Sequence, residues 1–149
     1  MAQNQENQGA VSPELDAMVC DLIGEFLDNL AAGDDPGVVI CLEDAEGSRF
    51  EAAFSDDGEE ACLEGASSYI SKHAMGLKDE GLGRIERYAI AYAGCVDFDE
   101  GYHDALLVSF YERSLDAGYS AYVLFEGVGT GDGFVWSDPE PAGEETPLI

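Results

Sequence analysis

The sequence predicts an α+β fold: a single antiparallel sheet of about five strands, in the chain order α-β-β-α-β-β-β, with two amphipathic helices on one face. Three observations lead there. Apolar residues recur at three- and four-residue spacing over 15–30, which is a helical stripe, and at period two over 84–96, which is a strand. The strand-like runs after residue 84 are joined by short turns, which suit hairpins and not parallel crossovers. At 149 residues and 46% apolar the chain is large enough, and apolar enough, to bury a core as one domain without staples. Residues 1–11 are polar and aperiodic and are expected to be loose. Residues 12–136 form the domain, and 137–149, rich in proline and acids, are expected to be an extended tail.

The first helix is expected to start with Ser12 as N-cap and Pro13 at the first helical position, where a missing N–H costs nothing. Leu15, Met18, Val19, Leu22, Ile23, Phe26, Leu27 and Leu30 make its apolar stripe, and Gly33 closes it. Runs over 38–42 and 49–54, separated by an Asp-Ala-Glu-Gly turn, predict a hairpin. Asp56, with Glu59 three residues on, predicts the cap of a second helix whose apolar side carries Cys62, Leu63, Ala66, Ile70 and Ala74. The strand over 84–96 alternates Tyr88, Ile90 and Tyr92 with Ala89, Ala91 and Ala93, so the small face can admit a helix closely. Strands over 103–113 and 119–125 complete a meander, and a further short strand over 134–136 is compatible with the pattern.

Charge is the strongest global feature. Thirty-two acidic residues against six basic ones give a net charge of −26. Phosphate backbones and anionic lipid are held largely by cationic side chains, so direct nucleic-acid or membrane-surface binding is not expected. The same charge has a plain reading, solubility, and a functional one, in which carboxylates imitate phosphates and occupy a basic DNA- or RNA-binding protein. The N-terminus carries neither a cation nor an apolar run, so residence in the cytoplasm is expected. Cys20, Cys41, Cys62 and Cys95 are evenly scattered with no C-x-x-C pair, and read as reduced, buried thiols.

Catalytic motifs are missing. His103, next to Asp104 and near Asp99, could act as a general base oriented by a carboxylate, and a small ligand-binding protein or enzyme centred on His103 is one alternative. It would need a concave pocket at the start of its strand. Asp97 and Asp99 resemble the start of a calcium loop, but the spacing to the next glycine and the flanking elements are wrong, so an acidic turn is the simpler reading. His73 reads as a packing residue. The glycine-rich stretch 127–133 lacks the helix and cation of a phosphate loop, and reads as a flexible hairpin loop. No cofactor is expected. Tyr88, Tyr92, Tyr111 and Tyr119 are expected to share the sheet face left open by the helices. Tyrosine suits surfaces that a partner later covers. The reading that follows is a non-enzymatic, acidic interaction or regulatory module using this aromatic face, with a homodimer or another protein as its partner.

Overall fold

A computed structural model describes residues 11–55, 58–98 and 100–149. The fold is α+β, with two helices and one curled antiparallel sheet forming a half-barrel. The elements are α1 (Pro13–Ala31), β1 (Val38–Asp44), β2 (Arg49–Phe54), α2 (Glu59–Lys72), β3 (Ile85–Phe98), β4 (Gly101–Glu112), β5 (Gly118–Glu126), β6 (Val135–Trp136) and β7 (Glu140–Glu145). The sheet has seven strands, not about five, in the order β2-β1-β3-β4-β5-β6, and β7 also pairs with β5. Of the additional strands, β6 is the short strand found compatible with the pattern at 134–136, and β7 comes from the segment expected to be an extended tail. Residues 140–145 run antiparallel to β5, with Tyr119 opposite Glu144 and Tyr122 opposite Glu140.

The helices do not share a face. The stripe of α1 packs on Cys41, Ala89, Ala91, Leu106, Val108 and Val123. Cys62, Ala66 and Ile70 of α2 pack instead among Val38, Ile40, Leu42, Tyr88, Ile90 and Tyr111, the alternate residues of the same strands. The sheet is therefore the middle layer of three. The reason is visible in β1, whose unbroken Val-Val-Ile-Cys-Leu run suits a strand covered on both sides, not one with a wet face. The alanines of β3 do what their size suggests and let α1 come close.

Both ends of α1 are held by distant chain. Ser12 accepts from the Leu15 N–H at 3.1 Å, as an N-cap does. At the other end Gly33, at φ +92°, and Asp34 close a Schellman motif, Asp34 N–H donating to the Asn29 carbonyl. The glycine loop after β5 reaches the same place, where the Gly129 N–H donates to the Leu30 carbonyl at 2.9 Å. A side chain on Gly33 would meet the Gly129 backbone at 3.4 Å, so two glycines face each other where the loop seals the helix. At α2 the cap differs from expectation: Gly58 is the N-cap, with no side-chain bond, and Asp56 lies outside the described residues. Its last turn ends at Lys72, leaving Ala74 beyond the helix.

Four charged side chains form a ladder across four neighbouring strands on the α1 side. Arg49 (β2) donates to Glu43 (β1) at 3.0 Å, and Arg87 (β3) donates to the other oxygen of Glu43 at 2.6 Å and to Glu112 (β4) at 3.5 Å. Glu112 in turn accepts from the Ser12 N–H at 2.8 Å and from its hydroxyl at 2.7 Å. A carboxylate is thus set at the N-terminus of α1, where the helix dipole favours negative charge. Glu43, Arg87 and Glu112 are buried. Beside them Asp44 accepts from the backbone N–H groups of Glu46, Ser48 and Gly83, each at 2.9 Å, clamping the β1–β2 turn to the chain before β3.

These bonds, the one from Gly83 foremost, hold the Asp44 carboxyl below its ordinary value of 3.8. A depressed folded-state value means that its contribution is complete above that ordinary value and is lost as pH falls through the lower, folded one. Asp44→Asn is therefore expected to lower the melting temperature at neutral pH and to flatten its decline in acid. Thermal melts from pH 7 down to about 2 check this, and parallel acid limbs for the two proteins would refute it.

Candidate functional site

The tyrosines do not make an open face. Tyr88 and Tyr111 sit side by side with rings 5.9 Å apart, 3% and 7% exposed, beneath α2 and the chain's own Leu148 and Ile149. The Tyr88 hydroxyl accepts from the Leu148 N–H at 3.1 Å, and Ser71 on α2 donates to the Leu148 carbonyl at 3.0 Å. Burial pushes the Tyr88 phenol up to about 12. Tyr92 is only partly buried, its phenol also raised by burial. Tyr119 pairs with Phe110, and so lies on the α1 side, away from the other three. A face already filled by α2 and residues 148–149 leaves Tyr88 and Tyr111 no surface to offer a partner.

Open surface lies at the far end of the meander. The pairing of β4 with β5 stops at Ala105 opposite Leu124. Beyond it β4 stays with β3, His103 opposite Val96 and Tyr102 opposite Asp97, while β5 turns to β6, Phe125 opposite Trp136 and Glu126 opposite Val135. The sheet therefore splits into a wedge. The strand segment 102–104 is paired along one side only, and a cavity of about 430 Å³ fills the gap. Ser137 fixes the second wall: its N–H donates to the Leu124 carbonyl at 2.8 Å, and its hydroxyl accepts from the Leu124 N–H at 3.0 Å.

The walls are aromatic and acidic. Trp136, the chain's one tryptophan, is 60% exposed, and Tyr102 is 74% exposed. Trp136 keeps its place by stacking on Phe134, which stacks in turn near Phe125 of the core, with ring centres 5.9 and 5.8 Å apart. Asp104 and Glu126 are exposed carboxylates on the two strands. By strand alternation Tyr102, Asp104 and Trp136 point to the α1 side, and His103 and Glu126 to the other.

His103 lines this cavity, so the concavity expected beside it is present. Among the described residues the orienting carboxylate is not. His103 and Asp104 are consecutive in a strand and point to opposite faces, and the imidazole instead packs on Phe98 with ring centres 5.2 Å apart. Ser109 donates to Glu145 at 3.1 Å, and the Ser137 hydroxyl at the cavity wall is engaged with Leu124 and Asp138. Asp97 is exposed in β3, Asp99 lies outside the described residues, and no group of three or more metal-ligating side chains converges among the described residues. His73 packs on Tyr69 at 4.3 Å, its Nδ1 2.8 Å from the Tyr69 carbonyl. Of the four cysteines, Cys41 and Cys62 are buried as expected, whereas Cys20 and Cys95 are exposed: Cys20 lies off the apolar stripe of α1, and Cys95 lies on the α1 side of β3 but beyond the buried part of that strand. No helix among the described residues is long and apolar enough to cross a membrane.

Comparison with known proteins finds no matching family model, no matching curated protein and no matching solved structure.

Proposed function

We propose that the protein is a small acidic interaction module that engages a protein partner at the wedge between β4 and the β5–β6 pair. The observation that supports this is an exposed indole and an exposed phenol on either side of an open gap in an otherwise paired sheet. Large aromatics held rigidly at a surface are the residues that most often anchor binding. A strand segment paired along one side adds backbone donors and acceptors that an extended partner segment can use. This keeps the module reading drawn from the sequence and moves its contact surface from the tyrosine face to the split end of the sheet.

Photo-crosslinking in the producing cell tests it. A photoreactive residue replacing Val135, at the wedge, is expected to yield a discrete adduct that disappears when Trp136→Ala is added. The same probe replacing Met75, exposed on another part of the surface, is expected to yield none. Adducts that form equally at both positions, or that survive Trp136→Ala, would refute the wedge as the contact surface.

A further inference from the structure

We infer that the wedge recognises an arginine carried on an extended segment of the partner, an assignment that rests on the wedge being the contact surface. Four observations converge on that chemistry. Trp136 and Tyr102 offer π-faces, which attract cations and stack on the planar guanidinium better than on a compact ammonium. Asp104 shares their side of the sheet and puts a carboxylate beside the two rings, and Glu126 on β5, its side chain on the opposite face, adds negative charge across the gap. Among the described residues no lysine or arginine lines the cavity, and three of the six cations (Arg49, Arg87 and Arg113) are engaged with the chain's own acids or carbonyls. Finally, the unpaired side of Tyr102–Asp104 and the gap itself suit an added strand, whose side chains alternate between the two faces and can place an arginine on the face of Tyr102, Asp104 and Trp136.

Trp136, as the sole tryptophan, reports occupancy directly through its emission. The probe is a capped heptapeptide with a central arginine flanked by alternating threonine and valine. Its comparator carries citrulline, which keeps the shape and loses the charge. The arginine peptide is expected to shift Trp136 emission saturably and to bind at least about tenfold more tightly than the citrulline peptide, with affinity falling as salt rises. The double variant Asp104→Asn, Glu126→Gln is expected to lose about tenfold or more. A control that removes the same charge elsewhere, Glu60→Gln with Glu64→Gln on the exposed side of α2, is expected to change affinity less than about twofold.

Equal loss in the two double variants would mean attraction to the net charge alone, and would overturn the assignment. Equal affinity for the citrulline peptide would overturn the cation while leaving the wedge as contact surface. Silence of Trp136 towards both peptides, with the Val135 crosslink still formed, would overturn the arginine assignment alone. If the crosslink also fails, the underlying reading falls with it.

Discussion

Arg87→Ala is expected to destabilise the protein by about 3–5 kcal/mol, because it strands two buried carboxylates rather than removing one favourable contact. Glu43 keeps Arg49, but Glu112 keeps only Ser12, and neither can recover water beneath α1. For a chain of this size that is about 10 °C in melting temperature. The carboxylates, not the missing guanidinium, carry the cost. Combining Arg87→Met with Glu43→Gln and Glu112→Gln is therefore expected to recover more than half of the loss. Urea unfolding of the three proteins at neutral pH measures both steps. A single-variant cost below about 1 kcal/mol would show that the ladder is solvated and that its burial is not felt.

Tyr88→Ala is expected to cost about 3–5 kcal/mol, the usual range for emptying an aromatic site in a core. The hydroxyl is separable from the ring. Tyr88→Phe keeps the packing against Tyr111 and loses only the acceptor of the Leu148 N–H, about 1 kcal/mol. This pair of variants also separates two accounts of the tyrosines. On an open association face, Tyr88→Ala would leave unfolding free energy nearly untouched and alter self-association. On the buried face seen here, it lowers the denaturation midpoint at every protein concentration. Equilibrium unfolding at two concentrations about a hundredfold apart decides the matter.

Much of the architecture could be read from residue patterns, and the failures have physical causes. The stripe of α1, its Ser12 cap, the hairpin and the alternation of β3 are local signals, and the structure agrees with them. Placing both helices on one side failed because alternation in β3 says which residues share a face but not what lies over it. The signal that both faces are covered was present in β1, where Val38 to Leu42 show no polar alternation at all. Residues 137–149 looked like a tail because proline and glutamate are poor strand formers. Their pairing depends on the edge that β5 offers, which is a tertiary fact. Tyr119 was misplaced because the turn between β4 and β5 sets which parity meets Phe110, and a one-residue change of register exchanges the two faces.

The wedge was half legible. A hollow beside His103 followed from asking what that residue would need, and the hollow exists. Its indole wall did not follow, because Trp136 joins it only through the departure of β5 from β4 after Leu124. The ionic ladder left a faint trace in sequence, since Glu43, Arg87 and Glu112 each fall at an inward position of an otherwise apolar strand. A charge at such a position asks for a partner at the same level of the next strand.

The ties of α1 to later parts of the chain bear on how the protein is made. Its eight apolar side chains rest on β3, β4 and β5, and its first turn is bonded to Glu112, one hundred residues further on. A nascent chain halted near residue 80 on the ribosome already carries the whole helix but none of the three strands that shelter it. During that interval an oily stripe from Leu15 to Leu30 faces the crowded surroundings, kept apart from other chains chiefly by its carboxylates. Vectorial synthesis thus asks this helix to wait, its stripe bare until the strands that cover it emerge.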